Sequence, residues 1–209
     1  LASALEGERW MAWFLRDAPH LINGAGLGAA TAPVAPWPHQ IAVARQIVET
    51  YPSRYLLCDE VGLGKTIEAG LVLRELWLRG LVKRAVILAP KSVLRQWQEE
   101  LYEKFALNVP LYNGKEFVDY WEQIQPITTA NPWDGVELAL ASSQLLKRQD
   151  RQDELLNAAP WDLVLVDEAH HARRKDFLDQ RTYRPNRLLE LLRGLQARTQ
   201  SLLLMTATP

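Results

Sequence analysis

A glycine-rich stretch that follows an apolar segment holds the residues best suited to chemistry. It reads Asp59-Glu60-Val61-Gly62-Leu63-Gly64-Lys65-Thr66, between a predicted strand at residues 55–58 and a predicted helix at residues 65–79. Backbone N–H groups and the helix dipole converge where a strand leads through glycines into a helix, and such a site binds phosphate. The expected nucleotide contacts on this loop are Gly62, Leu63, Gly64, Lys65 and Thr66, with the Thr66 hydroxyl on Mg²⁺.

The loop departs from the usual phosphate-loop pattern at its first position. Asp59 stands where the pattern G-x-x-x-x-G-K-[ST] has its first glycine. Taken by itself, the stretch therefore also fits an ordinary tight turn between a strand and a helix. A second chemical segment on another strand favours the phosphate-binding interpretation.

That second segment is Asp167-Glu168-Ala169-His170, which directly follows a predicted strand at residues 163–166. Open α/β sheets bind ligands at the carboxyl ends of their strands, so both segments are expected at one edge of the sheet. Hydrolysis of a phosphoanhydride needs a carboxylate for Mg²⁺ and a base for the attacking water. Asp167 and Glu168 fit those two roles in that order. A surface acidic cluster with two incidental histidines would have the same composition but not this placement.

The segment Asp59–Ala69 resembles motif I of the Swi/Snf-type ATPases within the superfamily 2 helicases, where an Asp-Glu pair commonly replaces the first glycine. Further segments are similar to that family's motifs, in the family's order across residues 37–209. They are Pro38-His39-Gln40 (Q motif), Leu88–Leu94 with Gln96-Trp97 (motif Ia), Ala141–Gln144 (motif Ib), Asp167–His170 (motif II) and Met205–Pro209 (motif III). Val61 and the run 67–70 resemble the bacterial RapA-like, RNA-polymerase-associated branch.

The resemblance implies an N-terminal ATP-binding lobe of an ATP-driven translocase on double-stranded DNA, with ATP and Mg²⁺ as cofactors. It implies that Gln40 contacts adenine and that Lys65, Asp167 and Glu168 are catalytic. The remaining implied roles are coupling by His170, Thr206 and Thr208, DNA contact by Lys91, Ser92 and Ser143, and magnesium binding by Thr66 and Asp167. From the residues alone, Ser92 equally fits an N-cap and Lys91 a solvated lysine.

These segments need a scaffold of alternating strands and helices. Continuous apolar runs predict strands at residues 55–58, 85–89, 109–112, 136–141, 163–166 and 201–205. Helices are predicted at residues 39–50, 65–79, 92–105, 116–123, 144–157 and 186–197. Alternation at this spacing predicts the α/β class: a three-layer αβα, RecA-like phosphate-loop domain with a mostly parallel sheet.

The chain is predicted to divide at residue 36. Residues 1–36 form an N-terminal appendage, with a candidate amphipathic helix around Trp10, Trp13 and Phe14 and a Gly/Ala/Pro linker at residues 23–36. The linker contains a formal G-x-G-x-x-A match at Gly24, which we interpret as incidental because no strand precedes it. Residues 37–209 form the ATP-binding lobe, and no motif of the family's second lobe follows.

Composition indicates only a broad class of protein. A net charge of -1 indicates that any nucleic-acid contact is local, and 48% hydrophobic with 23% charged residues is ordinary for a globular protein. A single cysteine, Cys58, fits a reducing compartment, so we expect a cytoplasmic protein without membrane contact. At the end of a strand, Cys58 is expected to be a small core residue.

Three functions remain open from the sequence. The first is a double-stranded DNA translocase that remodels protein–DNA complexes, with a second RecA-like lobe and RNA polymerase or another DNA-bound protein as partners. The second is a strand-separating DEAH-type helicase, and the third is a non-catalytic nucleotide-binding interaction module. Because the second lobe supplies arginines to the ATP site in this family, we expect the chain alone to bind nucleotide weakly and hydrolyse it negligibly.

Overall fold

A computed structural model describes residues 11–12, 26–58, 64–175 and 184–207 of the chain. The described helices are α1 (Leu27–Ala30), α2 (Pro38–Glu49), α3 (Lys65–Leu78), α4 (Leu94–Phe105), α5 (Gln149–Asn157) and α6 (Arg187–Gln196). The strands are β1 (Arg54–Leu57), β2 (Ala85–Ala89), β3 (Leu111–Tyr112), β4 (Phe117–Val118), β5 (Ile124–Gln125), β6 (Leu138–Ser142), β7 (Trp161–Val166), β8 (Arg174–Lys175), β9 (Arg184–Pro185) and β10 (Thr199–Met205). Short 3₁₀ turns lie at Lys91–Val93, Pro132–Gly135, Leu145–Lys147 and Ala169–His171.

One eight-stranded sheet, in the order β1-β10-β7-β2-β6-β3-β4-β5, organises the domain. Neighbouring strands are parallel from β1 through β10, β7, β2 and β6 to β3. The last two pairs, β3–β4 and β4–β5, are antiparallel. All five residues of β2 and of β6 are buried, as expected for parallel strands that are covered on both faces. The predicted α/β class with a mostly parallel sheet is confirmed.

Helices cover both faces of this sheet and form two cores. Residues of α2, α3 and α4 pack on one face against side chains such as Ile87, Leu165 and Leu203. Residues of α5 and α6 pack on the other face against the alternate side chains of the same strands, such as Leu88 and Val164. The result is the predicted three-layer αβα arrangement.

Helix α3 is enclosed on nearly all sides, with every residue from Glu68 to Leu76 buried. A helix that is buried all round must meet its neighbours closely, and Gly70 makes this possible at α4. An ideal Cβ on Gly70 would lie 2.2 Å from Cε2 of Phe105, whose side chain is itself fully buried. The helix that begins at the candidate nucleotide loop is therefore fixed against α4 by a position that requires glycine.

Replacing Gly70 by alanine is expected to lower the free energy of unfolding by about 1–3 kcal/mol, because overpacking a dense core forces its neighbours to move. Denaturant unfolding monitored by circular dichroism measures this change. Gly135→Ala is the matched control, since its Cβ would meet nothing closer than Thr129 Oγ1 at 3.4 Å. Equal unfolding midpoints for the two variants would contradict the packing account.

The described part of the Gly/Ala/Pro stretch is packed on α3 through two buried charges. The Glu75 carboxylate accepts hydrogen bonds from the backbone N–H of Gly26 at 2.8 Å and of Gly28 at 2.5 Å. Arg74 donates to the carbonyl oxygens of Gly28, at 3.0 Å, and of Phe105. Burial lowers the pKa of Arg74, and the neighbouring Glu75 opposes that shift. Gly26, the second glycine of the formal G-x-G-x-x-A match, thus binds a carboxylate of the same chain.

The sequence located most elements to within about two residues, the usual uncertainty of helix and strand ends. Asn186 caps α6 by accepting from Leu189 N at 2.9 Å, and Gly80, with φ 66°, follows the end of α3 as predicted. Residues 59–63, the candidate helix near Trp10 and the prediction for Thr208 lie outside the described residues.

The helix predicted at residues 116–123 is wrong. Asn113 Oδ1 accepts from the backbone N–H of Lys115 and Glu116, which closes a turn, and Phe117–Val118 then pairs as an antiparallel strand. Phe117 is buried beside Trp133, and Phe117 and Val118 are residue types that favour strands, so packing in the second core and local preference agree on a strand.

Two local predictions are also wrong. Ser92 does not cap a helix: α4 begins after Val93, with no side-chain cap, because Lys91–Val93 forms a 3₁₀ turn first. Cys58 is exposed rather than a core residue, since β1 lies at an edge of the sheet. Within the described residues, no helix combines the length and apolar character needed to cross a membrane.

Candidate nucleotide site

Three neighbouring strands bring the chemical segments to one edge of the sheet. Leu57 of β1 lies in register with Met205 of β10, and Leu204 lies in register with Val166 of β7. The residues that follow these strands therefore emerge side by side. The backbone N–H of Thr206 donates to Leu57 O at 2.9 Å, which ties motif III to the strand that leads into the loop.

Gly64 and the start of α3 are the described part of the expected phosphate-binding segment. Gly64 has φ 80° and ψ 42°, a left-handed conformation that favours glycine, and α3 begins at the next residue, Lys65. Backbone N–H groups point out of the N-terminal end of a helix, and together with the helix dipole they favour an anion there. Thr66, the expected magnesium-binding hydroxyl, occupies the second helical position.

Gln40 lies against this loop. Its side chain is 4% exposed, and its Oε1 accepts from the backbone N–H of Trp37 at 2.8 Å. Its Nε2 would lie only 2.5 Å from a Cβ built on Gly64. The space beside Gly64 is thus taken by the amide of the Q-motif residue, which places the two expected nucleotide contacts next to each other.

Asp167 is held at the end of β7 by three hydrogen bonds. Its backbone N–H donates to Leu88 O at 2.8 Å, and its Oδ1 accepts from the Glu168 N–H at 2.8 Å. Its Oδ2 accepts from the indole Nε1 of Trp97 at 3.0 Å. Each carboxylate oxygen therefore has one protein donor and keeps acceptor capacity on its open side.

Glu168, His170 and Thr206 form a second connected group. His170 Nδ1 lies 3.1 Å from Glu168 Oε2 and 2.9 Å from Thr206 Oγ1. His170 Nδ1 thus lies between the carboxylate of Glu168 and the hydroxyl of Thr206. Glu168 itself turns the chain with φ 51°, an uncommon conformation for a residue other than glycine. The structure thus joins the motif II base candidate to motif III through one histidine.

The candidate DNA contacts lie on two loops that Gln144 connects. Gln144 Oε1 accepts from Lys91 N and from Ser142 Oγ, both at 2.9 Å. Lys91 and Ser92 are exposed. Ser143 is only 4% exposed, and its backbone N–H donates to Ala89 O at 2.9 Å. Lys91 and Ser92 are thus open to a ligand, whereas Ser143 is placed mainly to hold the loop.

Sequence reasoning missed the side-chain contacts that orient this site. The sequence identified Trp97 only as part of motif Ia. Trp97 and Asp167 are 70 residues apart in the chain, so no local pattern predicts that they contact each other. Gln144 ended the motif Ib string, but no pattern showed that it would bridge to Lys91. Among the expected nucleotide contacts, Gly62 and Leu63 lie outside the described residues, as does the coupling candidate Thr208.

The described residues fit ATP and Mg²⁺ on two observations. A left-handed glycine precedes a 14-residue helix, where an added Cβ would displace the Gln40 amide. The Asp167 carboxylate, oriented by two hydrogen bonds, follows β7 at the same edge of the sheet. Carboxylate and hydroxyl oxygens are ligands that Mg²⁺ prefers.

Comparison with known proteins agrees with this architecture. The sequence matches the SNF2-related domain family over residues 8–209. It is 38% identical to the RNA polymerase-associated protein RapA of Pseudomonas aeruginosa (strain LESB58), covering 88% of this chain and 18% of that protein. It is 35% identical to RapA of Vibrio vulnificus (strain CMCP6), covering 82% of this chain and 17% of that protein. The chain thus spans about a fifth of the length of the curated relatives it matches.

Solved structures show the same fold. The Sulfolobus solfataricus SWI2/SNF2 ATPase core in complex with dsDNA aligns with a TM-score of 0.64 at 19% identity, covering 85% of this chain and 33% of that one. A structure of the Sulfolobus solfataricus SWI2/SNF2 ATPase core domain aligns with a TM-score of 0.60 at 19% identity, covering 85% of this chain and 32% of that one. The RecA-like fold and the resemblance to the RapA-like branch are confirmed, and the chain belongs to the SNF2-related domain family.

Proposed function

We propose that this chain is the N-terminal ATP-binding lobe of a motor that couples ATP hydrolysis to movement along double-stranded DNA. The observation that carries the proposal is the arrangement at one sheet edge. The helix start at Gly64 and the Asp167 carboxylate follow strands β1 and β7, which flank the same strand, β10. His170 then connects this edge to motif III through Thr206. Membership of the SNF2-related domain family supports the same function.

Each residue has a role that follows from its chemistry. Lys65 at the first position of α3 binds the terminal phosphates, and Gln40 contacts the adenine. Thr66 and Asp167 hold the magnesium ion, which neutralises charge on the phosphates when bound. Glu168 accepts the proton of the attacking water, and His170 lies beside its carboxylate, with Nδ1 3.1 Å from Oε2.

DNA contact belongs to the exposed loops after β2 and β6. Lys91 and Ser92 lie open on the first loop, and Gln144 ties that loop to the second one. An ammonium and a hydroxyl are suitable donors to backbone phosphates, which fix register without reading sequence. The aligned Sulfolobus core was solved with dsDNA, which supports a duplex as the ligand of this face.

A displacement assay distinguishes a duplex translocase from a strand-separating helicase. The protein used carries this domain together with the second lobe, and the substrates are a triplex and a forked duplex. We expect ATP-dependent release of the third strand of the triplex without separation of the forked duplex. Separation of the fork without release of the third strand would contradict translocation on duplex DNA and favour a DEAH-type helicase.

RNA polymerase is the proposed protein partner. The relatives at 34–38% identity are named RNA polymerase-associated protein RapA, and this chain spans about a fifth of their length. The proposal concerns the whole polypeptide, in which this domain supplies one half of the ATP site. The remodelling of other DNA-bound proteins would use the same site and the same coupling through His170.

A further inference from the structure

The indole of Trp97 donates the one side-chain hydrogen bond to Asp167 that the structure records among its described residues. Trp97 Nε1 donates to Asp167 Oδ2 at 3.0 Å, and the other oxygen, Oδ1, accepts from the Glu168 backbone. The Trp97 side chain is only 3% exposed. The donor is thus shielded from water, where a hydrogen bond to a charged acceptor is strongest.

The two partners are fixed in place by the same strand. The backbone N–H of Asp167 donates to Leu88 O in β2, and the chain that leaves β2 turns through Lys91–Val93 into α4, which carries Trp97. Helix α4 is anchored by buried residues on the same face, including Leu94 and Leu101. Neither group can move far, so the hydrogen bond sets the rotamer of the carboxylate.

We propose that Trp97 is a positioning residue for magnesium binding. Its N–H holds Asp167 Oδ2 so that the remaining acceptor capacity of the carboxylate serves the edge where α3 begins, with Thr66 as its second residue. An indole only donates hydrogen bonds, so it cannot rotate to accept from a metal-bound water or exchange its role with the carboxylate. The inference rests on the proposed role of Asp167 as a magnesium ligand and adds the residue that orients it.

The size of the effect follows from other metal sites. Partners that hydrogen-bond to a metal ligand typically change metal affinity or activity by about 10–100-fold when they are removed. Trp97→Phe removes the N–H and keeps an aromatic ring in the core. We expect this substitution to raise the Mg²⁺ concentration at half-saturation by about 10-fold. Affinity for nucleotide in the absence of Mg²⁺ is expected to stay unchanged.

The measurement is a Mg²⁺ titration that follows the fluorescence of bound mant-ATP. A titration with mant-ATP in EDTA gives the nucleotide affinity without metal. Trp133→Phe is the matched control because Trp133 is also fully buried, and its indole N–H has no acceptor among the described residues. A 10-fold shift for Trp97→Phe alone supports the proposal. Equal shifts for both variants would show a general packing effect and would overturn it.

Two further variants separate this proposal from the proposed function. If Asp167→Asn raises the Mg²⁺ requirement and Trp97→Phe does not, the role of Trp97 is wrong and the role of Asp167 stands. If Asp167→Asn leaves the requirement unchanged, both roles are wrong. In the Asp167→Asn background, Trp97→Phe is expected to add nothing, because the carboxylate it positions is gone.

An independent readout needs neither nucleotide nor metal. The chain has eight tryptophans, so its ¹H–¹⁵N spectrum contains eight indole signals, and Trp97→Phe identifies the signal of Trp97. Asp167→Ala removes the acceptor and is expected to move that signal and to speed its exchange with solvent. An unmoved signal with unchanged exchange would show that the hydrogen bond does not form in solution.

Discussion

Glu168→Gln is expected to lower ATP turnover by about 10²–10⁴-fold in a polypeptide that carries this domain with the second lobe, the usual contribution of a positioned general base. The substitution replaces one carboxylate oxygen by an amide nitrogen and keeps the other oxygen as an acceptor. His170 Nδ1, at 3.1 Å from Glu168 Oε2, therefore keeps a polar neighbour of nearly the same shape. Basicity is lost while shape is retained, so nucleotide affinity is expected to change little.

Steady-state phosphate release, measured alongside mant-ATP binding, checks this prediction. Glu122→Gln makes the same chemical change at an exposed position on the hairpin between β4 and β5, and we expect it to behave like the wild type. Turnover by Glu168→Gln within about threefold of the wild type would contradict the role of Glu168 as base. Loss of binding together with turnover would instead assign Glu168 to ligand binding.

The second large effect concerns the chain on its own. Residues 1–209 are expected to hydrolyse ATP negligibly, and joining the second lobe is expected to raise turnover by about 10³–10⁵-fold, the range that an arginine supplied to a phosphoryl-transfer site provides. The physical reason is that no motif of the second lobe occurs in this sequence, so charge developing on the phosphates lacks those partners.

Single-turnover hydrolysis at saturating ATP compares the two polypeptides, with and without double-stranded DNA. Each is also prepared as Lys65→Ala, which removes the ammonium at the start of α3 and reports any contaminating activity. DNA-stimulated turnover by residues 1–209 that disappears in Lys65→Ala would show that this lobe forms a complete active site. That result would refute the requirement for a second lobe.

Repeating local patterns made most of the fold predictable from the sequence. Apolar runs such as residues 85–89 and 163–166 are buried on both faces, so their composition reports directly on their place in a parallel sheet. The ends of α3 were predictable because Gly64 and Gly80 both adopt positive φ, where glycine is favoured. The segment at residues 116–123 failed because Phe117 is held by Trp133 and Tyr112, which lie elsewhere in the chain.

The candidate site divides in the same way. The sequence identified Lys65 and Thr66 because they follow an apolar strand and a glycine-rich loop. It identified Asp167 and Glu168 because they directly follow an apolar strand. Their assignment to ATP and Mg²⁺ stays a prediction. The contacts of Trp97 with Asp167 and of Gln40 with Gly64 join distant segments through tertiary packing. No spacing rule links such pairs, so only the folded arrangement reveals them.

Binding of ATP to the isolated chain tests the central claim most directly, because it needs no second lobe and no DNA. We expect saturable, Mg²⁺-dependent binding of mant-ATP by residues 1–209. Lys65→Ala is expected to weaken that binding about 10-fold or more, since hydrogen bonds to charged groups contribute about 1.5–3 kcal/mol. Lys83→Ala, at the opposite end of the sheet before β2, is expected to bind like the wild type. Equal affinity for all three proteins, or no saturable binding by the wild type, would contradict a nucleotide site at this edge.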